Sequence, residues 1–342
     1  MKKSFLYLGI LLLAIVGLAG CSGGDDDEAS ADGGNGDKDY ELKFGLVAGN
    51  QQVEYKAVEK LADYVNEESD GQLTIKIYPN SQLGDDRAML EQLQEGTLDM
   101  TQAEGGRFGI WVPRASLLGL PYVVDDFEQL KAAIHNTEYG KGLLSELEEE
   151  HNWKIVASSY NGTRQTTSNR AIKSLDDMEG LKLRVPEADT LLDYAKFTGA
   201  SPTPMAFTEV YTALQTNAVD GEENPLTTID AQKFYEVQDY LALTNHVVND
   251  NEYVVSTKTL EKLPDDLKQI LIDGIEMAAE EHTNMVKKQE EELVSKFEDE
   301  GVTVTEPDLE EFKKAVSEAY PKYLEEIGDG AEDYLKQIQE AK

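Results

Sequence analysis

A single cysteine, Cys21, stands in 342 residues. That scarcity excludes a disulfide scaffold, a cysteine zinc site and dithiol redox chemistry. Only four histidines occur, at 135, 151, 246 and 282. They lack the spacing of a paired metal site and adjoin no obvious nucleophile, so no hydrolytic triad or acid–base pair is recognisable. Positive charge is also short: 31 Lys and Arg face 67 Asp and Glu, for a net charge of −36. Such a chain repels a phosphate backbone, which excludes nucleic acid as a partner. The GxG fragments around Gly105 lack the lysine of a phosphate loop and the context of a dinucleotide fold. No cofactor and no metal are expected.

The longest apolar run covers residues 5–19, shorter than the roughly 20 residues of a membrane-spanning helix. With Lys2 and Lys3 before it, and Leu18, Ala19 and Gly20 before Cys21, residues 1–20 read as an export signal. The cleavage site resembles a lipobox, which predicts that Cys21 is lipidated and anchors the mature protein outside the cell membrane. Residues 21–39 hold seven carboxylates and one lysine among Gly, Ser, Ala and Asn, a composition that cannot form a core and reads as a flexible acidic tether. Loss of Lys2 and Lys3 takes the charge from −36 to −38. Acidity of this order keeps a protein solvated, and a monomer is expected.

Periodicity supplies the fold class. Leu42, Phe44 and Leu46 alternate as in a strand over 41–47, and Tyr55, Val58, Leu61, Ala62 and Val65 mark one helix face over 54–67. A strand at 73–78, a helix at 85–94 and a strand at 98–101 complete β-α-β-α-β, which predicts a parallel, doubly wound sheet. The pattern restarts with strands at 153–158 and 181–185, a helix at 188–197, a helix at 208–216 and a short strand at 218–221. Strands at 240–244 and 253–256 follow, and Pro264 opens a helical pattern running to 298. Two α/β lobes bridged by one long helix are predicted. Lobe I takes 40–160 and 250–288; lobe II takes 161–249 and 289–342 with the C-terminal helices.

Only six basic residues are arginine, at 87, 107, 114, 164, 170 and 184. Arginine grips a carboxylate with a planar fork, whereas lysine is a hydrated point charge. In LKLRVP at 181–186 the apolar residues point one way, leaving Arg184 on the other face at the end of a strand. Arg164 leaves the end of the 153–158 strand. Ligands of open α/β sheets bind outside the carboxyl ends of strands, so the two arginines suggest a carboxylate clamp, with surface ion pairing as the alternative. The acids of VDGEENP at 219–225 offer oxygen ligands for Ca²⁺ but lack the EF-hand spacing.

These residues also carry a resemblance. NGTRQTTSNR at 161–170, LKLRVP at 181–186, GASPTPMAF at 199–207 and ALQTNAVDG at 213–221 are similar to stretches of the DctP-type extracytoplasmic solute receptors of tripartite ATP-independent periplasmic (TRAP) transporters. The resemblance runs from 39 to about 336 and lies closest to the sialic-acid-binding receptors; receptors for C4-dicarboxylates and hexuronates share much of it. It implies a two-lobed periplasmic-binding-protein clamshell, and a receptor that delivers a small organic acid to small and large permease subunits, not an enzyme. It implies that Arg184 salt-bridges the ligand carboxylate, with Arg164 as the second arginine, Phe207 packing on the ligand and Asn224 hydrogen-bonding near the carboxylate. Asp86, Glu104 and Arg107 would face it from the opposing lobe. Val47 and Glu187 stand where the sialic-acid receptors carry Asn, which favours a polyhydroxylated monocarboxylate and opens the choice between sialic acid and a hexuronate. A C4-dicarboxylate receptor, a receptor for an ATP-driven importer and a secreted enzyme using Glu104 or Asp220 are the alternatives.

Overall fold

The computed structural model describes residues 39–342. The export signal, Cys21 and nearly all of the tether therefore lie outside the described residues. The chain begins with β1 (Tyr40–Gly45), α1 (Val53–Glu68), β2 (Leu73–Tyr78), α2 (Asp86–Glu95) and β3 (Met100–Ala103). The side chain of Asp85 caps α2 by accepting from the Ala88 amide at 2.8 Å, and Gly96 ends it in the left-handed region at φ 78°. β1 pairs in parallel with both β2 and β3, as the β-α-β-α-β pattern predicts.

Two short 3-10 segments, Gly105–Ile110 and Pro113–Gly119, lead into α3 (Phe127–His135) and α4 (Glu138–His151). The rest runs β4 (Trp153–Ser168), β5 (Lys182–Val185), α5 (Asp189–Phe197), β6 (Ser201–Pro204), α6 (Val210–Gln215), β7 (Gly221–Pro225), α7 (Leu226–Ala231) and β8 (Tyr240–Ser256). It ends with α8 (Thr257–Leu260), α9 (Asp265–Asp299), β9 (Thr303–Thr305), α10 (Leu309–Ser317), α11 (Tyr320–Ile327) and α12 (Ala331–Gln339). The nine strands join one sheet in the order β2-β1-β3-β8-β4-β7-β5-β6, with β9 on β8.

The sheet is mixed, which corrects the all-parallel expectation. β8 runs antiparallel to β3 and β4, and β4 antiparallel to β7. The predicted strand at 153–158 extends to Ser168, those at 240–244 and 253–256 are one strand, and the one at 218–221 begins only at Gly221. The extensions lack an apolar period because their buried residues are polar: Ser159, Asn161, Arg164, Thr166, Asn249 and Glu252 sit inside the sheet, where His282 meets Ser159 and Asn161 and Arg164 donates to Asn249. Three register shifts along β4 re-aim its side chains. At one of them Gly162 adopts φ 104°, and a Cβ there would lie 2.7 Å from the Pro225 ring; only glycine fits.

Four cores flank the sheet. One lies around Phe108, Leu118 and Trp153, and another around Phe44, Leu61 and Tyr253. A third surrounds Leu183 and Tyr194, and a fourth Leu226 and Phe297. The long helix α9 serves two of them, burying Leu267, Leu271 and Ile275 in the second and Leu293 and Phe297 in the fourth. It spans both lobes as predicted. α11 and α12, grouped above with lobe II, pack instead on the first core through Tyr323 and Ile338, and Gln129 of α3 donates to the carbonyls of Ile338 and Gln339 at 3.3 and 2.7 Å.

Candidate functional site

β5 is four residues long, and its pleat sorts them. Leu183 and Val185 are fully buried in the third core, so Arg184 projects from the opposite face. It is 2 % exposed, and its Nε and Nη2 donate to the Met205 carbonyl at 3.2 and 2.8 Å. Its guanidinium lies 6.0 Å from the centre of the Phe207 ring. Among the described residues no carboxylate lies within ion-pair distance of Arg184, and its Nη1 makes no hydrogen bond. Burial pulls its pKa down to about 10, against the opposing pull of Glu223 and Glu222. One edge of this buried fork is thus idle.

That edge faces a cavity of about 870 Å³. All nine residues proposed from the sequence line it: Val47, Asp86, Glu104, Arg107, Arg164, Arg184, Glu187, Phe207 and Asn224. They come from seven separate stretches of chain, brought together where strands of both lobes end.

Arg164 sits in the same cavity in a different state. Its Nε and Nη2 hold both carboxylate oxygens of Glu223 at 2.5 and 2.8 Å. Nη2 also donates to the Glu223 carbonyl and to Asn224 Oδ1, and Nη1 to Asn249 Oδ1 at 2.8 Å and Glu104 Oε1 at 3.3 Å. The protein itself occupies this fork. His246 Nε2 meets Glu223 Oε2 at 3.0 Å, and the Tyr194 ring stacks on the imidazole at 4.0 Å. Burial pushes Glu223 up, but Arg164 and His246 outweigh it and hold the pKa at about 2. The adjacent Glu222 accepts from Thr167 at 2.8 Å and Asn224 at 2.6 Å, and burial lifts it to about 7. The acids weighed above as Ca²⁺ ligands thus face arginine, imidazole, hydroxyl and amide donors.

On the other wall Asp86 pairs with Arg107 at 2.5 Å. Arg107 Nη1 reaches across the cavity to the backbone carbonyl of Glu187, also at 2.5 Å. The Glu187 side chain itself is exposed. Val47 is half-buried against the first core. The sequence reading missed Gln52, Glu54, Gln102, Asn161, Thr228 and Asn251, which also line the cavity. No spacing marks them, since they lie at the start of α1 and on α1, β3, β4, α7 and β8.

The family described as bacterial extracellular solute-binding protein, family 7 (DctP) matches residues 44–326. The sialic acid-binding periplasmic protein SiaP of Vibrio cholerae is 50% identical over 287 residues, 84% of this chain and 89% of that protein. The sugar acid binding protein DctPAm of Advenella mimigardefordensis, solved in complex with galactonate, superposes with a TM-score of 0.82 at 30% identity, covering 89% of this chain and 99% of that one. A TRAP solute-binding protein of Chromohalobacter salexigens with bound D-glucuronate gives 0.83 at 28% identity, covering 88% and 100%. No helix among the described residues is long and apolar enough to cross a membrane.

Proposed function

The chain belongs to the DctP family of TRAP solute receptors, which bind and do not turn over their solutes, and on that premise we propose that it captures a polyhydroxylated monocarboxylate, a sugar acid such as sialic acid or a hexuronate, and hands it to a TRAP permease. The observation that supports this reading is Arg184: a buried guanidinium with an unpaired edge, in a cavity whose other arginines are already neutralised. One free cation suits one carboxylate. The remaining lining is rich in acids and amides, which accept from hydroxyls and disfavour a second carboxylate. Phe207 offers a face to the sugar ring.

Thermal-shift screening against sialic acid, glucuronate, galacturonate, succinate and malate tests this, because a ligand that binds the folded state raises its melting temperature. Stabilisation by the sugar acids is expected. Stabilisation by succinate or malate alone would overturn the reading in favour of a C4-dicarboxylate receptor.

The lobes take 40–160 with 250–288, and 161–249 with the stretch from 289, the last two helices crossing back to lobe I. Cys21 carries a lipid that holds the receptor at the outer face of the membrane. Cys21→Ser should release the protein from the membrane fraction with ligand affinity unchanged; retention would refute the anchor.

A further inference from the structure

β3 and β8 place one misfit side chain. Phe44, Met100, Tyr253 and Val255 share a sheet face and belong to the second core. Gln102 follows Met100 on that face, opposite Tyr253 in register. An amide stands where the row calls for an apolar group. It is 7 % exposed, yet neither Oε1 nor Nε2 has a hydrogen-bond partner. The Tyr253 phenol approaches it without hydrogen-bond geometry, its hydroxyl donating instead to the Ala278 carbonyl at 3.4 Å.

Gln102 lines the cavity together with Glu54, Asn161 and Asn251. Asn161 and Gln52 are held by the protein. His282 of α9 meets Asn161 Oδ1 at 3.2 Å and Ser159 Oγ at 2.9 Å. Gln52, at the start of α1, accepts from the Gly49 amide and Gln232 at 2.8 and 2.9 Å. Both Gln102 amide atoms are fully buried and idle, and buried polar atoms are rarely left so without a purpose.

We propose that Gln102, with Glu54 and Asn161, forms a subsite for an uncharged hydroxyl of the ligand, separate from the carboxylate site at Arg184. The chemistry follows from what is missing. Oε1 needs a donor and Nε2 needs an acceptor, and a hydroxyl supplies both through one atom. A second carboxylate would satisfy only Nε2 and would meet no cation here, because Gln52, Glu54, Gln102, Asn161 and Asn251 include none. The Glu54 carboxyl in the same cavity adds an acceptor for a hydroxyl donor. The inference rests on the sugar-acid reading and narrows it to acids long enough to reach both places.

Isothermal calorimetry on the full folded receptor tests it with sialic acid, glucuronate and galactonate as probes, using Gln102→Leu and the near-isosteric Gln102→Met. Both variants should bind the wild type's preferred probe at least about tenfold more weakly, while the ligand-free melting temperature holds or rises because an apolar row is completed. Affinity within twofold of wild type in both variants would overturn the subsite and leave the sugar-acid reading intact. A fall in ligand-free melting temperature with unchanged affinity would also overturn it, marking Gln102 as structural. Failure of all three probes to bind the wild type would instead refute the sugar-acid reading, and the subsite with it.

Discussion

Arg164 closes on Glu223 with two parallel contacts, Nε to Oε2 at 2.5 Å and Nη2 to Oε1 at 2.8 Å. Twenty residues further on, Arg184 has no such partner among the described residues. The two arginines that look equivalent in the sequence thus differ in the fold: Arg164 locks β4 to β7, and Arg184 keeps one edge of its fork unpaired.

Removal of Arg184 should therefore damage binding and spare the fold. Truncating one side of a buried charge-assisted pair costs about 2–5 kcal/mol, so Arg184→Ala should weaken sugar-acid binding on the order of 30-fold or more. Arg184→Lys should rescue poorly because it lacks the fork. Calorimetry showing the alanine variant within a few-fold of wild type would sink the assignment. The ligand-free melting temperature should not fall, since an unpaired buried charge is lost.

Arg164→Ala should do the opposite to the fold. It strands Glu223, which is fully buried, and breaking a buried pair costs about 3–5 kcal/mol. The melting temperature should drop by roughly 5 °C or more. An unchanged melting curve would show that the pair contributes nothing to stability.

Glu222 sets a pH dependence. Its folded-state pKa of about 7 lies above the ordinary 4.5, so folding favours the protonated form. The contribution of this group is fully present below about 4.5 and is lost as pH rises through about 7. Ionisation also places a negative charge near Arg184, so carboxylate affinity should decline over the same upper range. Glu222→Gln should flatten both profiles; titrations between pH 5 and 8 that coincide for wild type and variant would refute the role.

Arg107 and Glu187 meet across the cavity through a backbone carbonyl. Arg107→Ala should cost at least about tenfold in affinity, because it removes this contact and strands Asp86. Glu187→Gln keeps the carbonyl and alters only an exposed side chain, so sugar-acid affinity should change by less than about threefold. A larger effect of Glu187→Gln in competitive binding assays would mean that its carboxylate touches the solute.

Much was legible in the chain order. Helices and strands of the first lobe stand where Leu42, Phe44, Val58, Leu61 and Val65 repeat, because burying an apolar face on one side fixes the period. Arg184 was legible too, since Leu183 and Val185 claim one face of β5 and the pleat sends Arg184 to the other. The central strands were not, because β4 and β8 bury polar residues whose partners lie far away in sequence, and no short-range period records a hydrogen bond from Arg164 to Glu223 or from His282 to Asn161. Which arginine was free, that Glu187 serves through its backbone, and that Gln102 stands idle in an apolar row were decided by tertiary structure alone. Each depends on the distance to a group brought in from another strand or helix, and the identity of a residue does not state which of its donors the fold will occupy.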